Sequence, residues 1–261
     1  MTTSVLLERS DDLLQRLAAL GETGSPCLLF LRTELSPYVE QSPLWVPAGQ
    51  ALLAAMEEAP EHWPGLLIHS PADERALLEH LRWLLVVHFD GGLRKGVLRY
   101  WNPRTASYFF SDDLDERPRW MGPIAKLRWH GGTWREKYAG QEGWKSLDNP
   151  RFEQWAAPRE PLPASLGAEQ ESALLHQQQE HFVFQWLGSA AISFAEAWQY
   201  FGEGLLSGFD EAEPLLRYLD LRVAYYGQKA PAELSGNTAD ERLAYLEEHL
   251  RQGSMNKEEH I

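Results

Sequence analysis

The chain has 261 residues, with 24 Lys and Arg against 38 Asp and Glu and a formal net charge of -14. That length buries roughly three quarters of the unfolded surface with no need of a metal or disulfide, and that charge repels a phosphate backbone unless basic residues cluster, which they do not, so nucleic acid is excluded as a partner. The lone Cys27, in the apolar run "CLLFL", cannot form an internal disulfide and reads as a small buried hydrophobe.

The N-terminal "MTTSVLLERSDDLLQRL" carries acids where a signal peptide carries bases, and no segment reaches the ~18 apolar residues of a membrane span. The expectation is a soluble, cytoplasmic protein with no membrane partner. Up to about Trp155 short apolar runs ("CLLFL", "GLLIH", "LLVVHF", "GVLRYW") alternate with stretches of helical spacing. The first lobe, residues 1–157, is therefore α/β (α+β), a small mixed sheet with flanking helices. After Leu66 to Ile68, Ser70, Pro71 and Asp73 supply an N-cap, a first-turn proline and an acid at the positive end of the helix dipole. Leu77, Leu81 and Leu84 then form a stripe that lies on the sheet. "VVHF" and "KGVLRYW" flank Asp90-Gly91-Gly92 and pair as a hairpin. Strand Val97 to Trp101 runs into Asn102-Pro103, an N-cap followed by a ring preset to helical φ. Arg104 then falls in the first helical turn, where a cation opposes the dipole, so a carboxylate or carbonyl partner is expected elsewhere in the chain. A second hairpin is expected at "KLRWHGGTWREKY".

The Pro-rich "APREPLPASLG" reads as a linker, residues 158–167, ahead of an all-helical C-terminal lobe, residues 168–252. Ala173 to Ala191 is one helix. Phe194, Trp198, Phe201 and Leu205 mark the face of a second, and Leu216, Leu219, Val223 and Tyr226 that of a third. Thr238 with Glu241 forms a capping box ahead of Leu243, Leu246 and Leu250. Residues 253–261, "GSMNKEEHI", lack an apolar period and read as a disordered tail.

A search for chemistry finds no constellation. The histidine pairs His62/His69, His80/His88 and His176/His181 lack the spacing of three or four that stacks two imidazoles on a helix, and one cysteine makes no zinc knuckle, so no metal site is assigned. "GLLSG" at Gly204 to Gly208 has its serine one place late for a nucleophile elbow and reads as a helix C-terminus. "GETGS" at Gly21 to Ser25 lacks the lysine of a phosphate-binding loop. Asp112, Asp113, Asp115 and Glu116 read as a solvated run, although a glycosidase-like acid pair stays open by count. Six of the eleven tryptophans fall between Trp101 and Trp155, which suits a core or a protein interface better than a sugar platform. No residue is assigned as catalytic, cofactor-binding or metal-ligating, no cofactor is expected, and macromolecular binding is the default.

The order "HWPGLLIHSP", "LLEHLRWLLVV", a glycine turn, "VLRYWNPR" and "MGPI" resembles the type VI secretion effector adaptors, long catalogued as a domain of unknown function. Arg99, Tyr100, Trp101, Pro103 and Arg104 match that family's strand running into Asp-Pro-Arg, with Asn102 standing where aspartate is usual; "TAS" after Arg104 also departs from the usual apolar pair. Gly122 and Pro123 belong to the "MGPI" element. "SGFDEAEPLLRYLDLRVAYYG" and "ADERLAYLEEHL" are similar to the helical C-terminal part of the same adaptors.

The resemblance implies a non-enzymatic cytoplasmic chaperone of a Gram-negative bacterium that captures a toxic effector and loads it onto the VgrG spike or a PAAR-tipped spike. Residues 99–104 are then scaffold, and Tyr38, Trp45, Trp129 and Trp134 are candidate exposed anchors for the partner. Two other readings stand beside it. One is a carbohydrate-binding protein or glycosidase using the Trp-rich middle; the other is an immunity protein that neutralises a toxin.

Overall fold

The computed structural model describes residues 1–21, 26–110, 117–158, 162–188 and 192–258. The segments "GETGS" from residue 22 and the acidic run from Asp112 to Glu116 lie outside them. The chain divides into two compact units, Met1–Gln178 and Gln179–Ile261, an N-terminal α/β region and a C-terminal all-helical one.

The strands are β1 (Thr2–Leu7), β2 (Cys27–Leu28), β3 (Leu44–Pro47), β4 (Gly65–Ser70), β5 (Val86–Phe89), β6 (Arg94–Val97), β7 (Lys126–Gly131), β8 (Gly143–Asp148) and β9 (Ala164–Ser165). The helices of the first unit are α1 (Leu13–Ala19), α2 (Gln50–Glu58), α3 (Glu74–Trp83), α4 (Pro103–Phe109), α5 (Arg117–Met121) and α6 (Trp134–Tyr138), and α7 (Ala168–Leu187) begins in it. The larger sheet is antiparallel, in the order β2-β3-β1-β4-β7-β8. Both of its faces are buried. Val5 and Leu7 of β1, Leu44 and Val46 of β3 and Leu67 of β4 point into one core with Leu13 and Leu17 of α1 and Leu52 and Met56 of α2. The alternate residues Leu6, Trp45, Leu66 and Ile68 enter a second core with α3 and α4, as the two-residue period of a strand requires.

Helix α3 starts one residue after Asp73, which takes the N-cap in place of the expected Ser70, a residue of β4, and accepts from the Ala76 amide; Leu77, Leu81 and Leu84 are buried as their spacing predicts. β5 and β6 pair antiparallel across Asp90, Gly91 and Gly92, all at positive φ, so the expected hairpin forms. Three further expectations are corrected here. Strand β6 ends at Val97 rather than Trp101, because Asn102 N donates to Arg99 O and turns the chain. "KLRWHGGTWREKY" is not a tight hairpin: Thr133 and Glu136 make a capping box that starts α6, and β7 meets β8 only beyond that helix. The Pro-rich segment is not a free linker, since β9 adds to β5 in parallel and Trp83 Nε1 donates to Leu162 O at 2.7 Å. The smaller sheet, β6-β5-β9, is thus mixed, with β6 at its edge.

The second unit holds the end of α7, then α8 (Phe194–Leu206), α9 (Ala212–Ala224) and α10 (Ala239–Glu258). Ser193 with Glu196 and Thr238 with Glu241 cap α8 and α10. Leu243, Leu246 and Leu250 are buried as expected, but Leu205 is exposed, and the buried face of α9 is Leu215, Tyr218, Leu219 and Arg222. That face is rotated from the Leu216/Val223/Tyr226 stripe because Arg222, paired with Glu203 at 2.5 Å and stacked on Tyr200, occupies a core position. Its stem and planar head pack like an apolar side chain while the charge is met by a carboxylate. Gly208, at φ +80, ends α8, as "GLLSG" suggests. Helix α10 continues to Glu258, into the segment expected to be a disordered tail. Among the described residues no helix is long and apolar enough to cross a membrane, and no His, Cys, Asp and Glu group is arranged to hold a metal ion.

Candidate functional site

The Arg99 to Arg104 corner is built around one N-cap. Asn102 Oδ1 accepts from the amides of Arg104 (2.9 Å) and Thr105 (3.2 Å), which forces its Nδ2 outward, where it donates to Glu8 Oε2 at 2.9 Å. Arg99 bonds the other oxygen of Glu8. An aspartate at 102 would set two carboxylates face to face; the asparagine keeps the cap and adds a donor. Tyr100 is buried, its hydroxyl donating to Leu81 O at 2.8 Å, and burial holds its pKa well above the ordinary value. Trp101 packs edge-on against Tyr100 and Phe30.

Arg104 has the partners its position demands. Its guanidinium donates to Gly132 O, Thr133 O and Glu142 Oε1 and lies over Trp134, 4.7 Å from the ring centroid. With 13% of the side chain exposed, it ties the start of α4 to the β7–α6 connection.

Gly122 and Pro123 close a second, buried turn. Gly122 has φ +53 and lies against His80. Asn149 Nδ2 donates to the carbonyls of Gly122 and Ile124, and Ser70 Oγ donates to Pro123 O at 2.7 Å. His80 Nε2 is 3.0 Å from Trp120 O; since a carbonyl only accepts, Nε2 carries the proton. Burial pushes this imidazole down from 6.5 to about 4, against the opposing effect of the Trp120 carbonyl. The native state therefore refuses a proton that the unfolded chain takes up below pH 6.5, and the stability associated with a neutral His80 is full above pH 6.5 and lost as pH falls towards 4. Relative to His80→Gln, the native chain is expected to lose about 2–3 kcal/mol of unfolding free energy between pH 7.5 and 4.5 in urea titrations. An unchanging gap between the two proteins would refute this.

Of the four candidate anchors, only Tyr38 is exposed, at 58%. Trp45 (5%) and Trp129 (4%) are core residues, a correction that follows from both faces of the large sheet being covered. Trp129 Nε1 donates to Ser107 Oγ. Trp134 is half-buried, with the Arg104 guanidinium over its ring. Of the six tryptophans from Trp101 to Trp155, Trp101, Trp120 and Trp129 are buried and Trp134, Trp144 and Trp155 are half-buried, so no fully exposed row of rings is presented to a sugar.

Tyr38 and the corner meet in a groove of about 880 Å³. Its floor is Phe30, Leu35 and Trp101, all buried. Tyr38 flanks it, on a short 3-10 segment, together with Val97 at the end of β6 and Arg99 two residues beyond it, and Glu8, Asp11 and Glu40 add carboxylates. Apolar floor, one projecting tyrosine and charged rim are the composition of a protein-docking surface. Phe30, Glu8 and Val97 were not singled out from the sequence. Glu8 follows directly on the apolar run of β1, but nothing local pairs it with residues 99 and 102.

Residues 5–119, somewhat under half of the chain and including every residue of this groove, match a domain of unknown function, DUF4123. No curated protein and no solved structure gives a significant match.

Proposed function

We propose, from the premise that residues 5–119 form a DUF4123 domain associated with type VI secretion, that the chain is an adaptor that captures a toxic effector and promotes its loading onto a VgrG or PAAR spike. It acts by binding in the cytoplasm and is not an enzyme. The observation that carries this reading is the groove at the 99–104 corner, which lies wholly within the matched residues and presents Tyr38 over an apolar floor. An adaptor that binds only the loading-competent form of its cargo stabilises that form by mass action and needs no nucleotide.

The test is a tagged pull-down from cells expressing the secretion machine, with bound proteins identified by mass spectrometry. One toxin-like protein, with or without a spike protein, is the expected partner. Tyr38→Ala is expected to weaken its capture about tenfold, as loss of an interface tyrosine does, with the melting temperature within roughly 1–2 °C, since the side chain is exposed. Deleting the gene should stop delivery and leave the toxin active. Neutralisation of the toxin would instead favour an immunity protein, and recovery of neither toxin nor spike would end the adaptor reading.

A further inference from the structure

Strand β6 is one of the two edges of the smaller sheet and pairs on its outer side with no other strand among the described residues, and its ladder phase can be read from one bond. Leu98 N donates to Leu85 O at 2.9 Å, and the register pairs Val97 with Val86, Gly96 with Val87, Lys95 with His88 and Arg94 with Phe89. In an antiparallel ladder bonded and non-bonded pairs alternate. Gly96 and Arg94 therefore spend their main-chain groups on β5, while the N–H and C=O of Lys95 and Val97 face away from it. The same phase explains why His88 O is free to accept from Leu166 on the opposite side of β5.

The edge opens on the groove: Val97 lines it and is 49% exposed, and Arg99 lines it beyond. Lys95, Val97 and Arg99 share one face by the two-residue period. Lys95 and Glu34 are both more than half exposed, so that pair is readily exchanged, while Arg99, 62% exposed and paired with Glu8, which is 21% exposed and also held by Asn102, offers its other N–H groups to a second carboxylate.

We propose that the effector is held by strand addition: an extended segment of it pairs with β6, its main chain bonding Lys95 and Val97. Side chains opposite one another on a sheet face interact directly. The segment is therefore of the form acidic-x-apolar-x-acidic, its apolar residue beside Val97 and above the Phe30, Leu35 and Trp101 floor, its carboxylates facing Lys95 and Arg99. Main-chain bonding supplies affinity and the alternate side chains supply selectivity. This rests on the adaptor reading above.

Val97→Pro tests it, because proline deletes only the outward N–H, leaves the β5 ladder intact and is tolerated on a strand edge. Val97→Thr keeps the shape and the N–H. With the effector identified by the pull-down, purified and labelled, Val97→Pro is expected to weaken binding roughly tenfold or more and Val97→Thr by less than about threefold. Hydrogen exchange on the native complex is expected to show the Lys95 and Val97 amides protected, a readout that survives any failure of the proline variant to fold. A folded Val97→Pro that binds normally, or amides that exchange as in the free chain, overturns strand addition and leaves the adaptor reading standing. So does a native chain that is a dimer made monomeric by Val97→Pro, which would assign the edge to a second copy. A native chain that captures no effector overturns both.

Discussion

Gly122→Ala is expected to lower the melting temperature by roughly 10 °C or more, the loss of at least about 4 kcal/mol from the first unit. Two costs combine. A φ of +53 costs an L-residue about 1–2 kcal/mol, and a Cβ built there falls 2.3 Å from His80 Cε1, inside the contact distance of any two carbon atoms. Neither partner can withdraw. His80 is held by Trp120 O and stacked with Trp83. The turn is held by Asn149 on the carbonyls on either side and by Ser70 on Pro123. The reduced freedom of the unfolded alanine chain returns less than about 1 kcal/mol. Urea denaturation of Gly122→Ala in the native and the His80→Ala backgrounds separates the terms. With the ring gone, the cost of alanine should shrink to the φ contribution, and an equal cost in both backgrounds would remove the ring contact as its cause.

That turn shows where the residues declare their structure and where they do not. "MGPI" is visible in the sequence, but its reason, a histidine 42 positions before Gly122 filling the space a side chain would need, is a matter of tertiary approach. The Asn102-Pro103 corner was legible because a cap and the helix it starts are neighbours in the chain, and so was the capping box of Thr238 and Glu241. The same signal, threonine followed by glutamate three residues on, is present at Thr133 and Glu136 and marks α6 where a hairpin was expected, the Gly131-Gly132 pair before it being equally suited to a tight turn. Trp45 and Trp129 were misplaced for a different reason. Alternation separates inside from outside only when one face of a sheet meets water, and here helices cover both. In the second unit Leu215 and Leu216 are chemically equivalent, so the rotation of α9 is decided by Arg222 finding Glu203 on another helix. β9 spans two residues and carries no period at all.

Arg104→Ala is the second large effect, expected to cost about 3 kcal/mol and roughly 6–10 °C in melting temperature. From position alone Arg104 is a liability, a cation at the positive end of α4. The structure turns it into a tie: two main-chain carbonyls of the β7–α6 connection, one carboxylate and the face of Trp134 converge on it, from residues 28 to 38 positions away. Alanine leaves Gly132 O, which is buried, short of a donor and strips Trp134 of its cover. Glu142 is a third exposed, so its own loss of a partner adds little beyond that. Arg104→Lys keeps the charge but offers a point instead of a planar fork, and is expected to recover less than half of the loss. Because α4 and the Asn102 cap position Arg99 and Trp101 in the groove, Arg104→Ala should also weaken effector capture, in proportion to the melting-temperature change across the two variants. Guanidinium denaturation and the pull-down on the same preparations check both. An unchanged melting temperature would show that the corner is not scaffold, and lost stability with full capture would show that the groove is positioned without it.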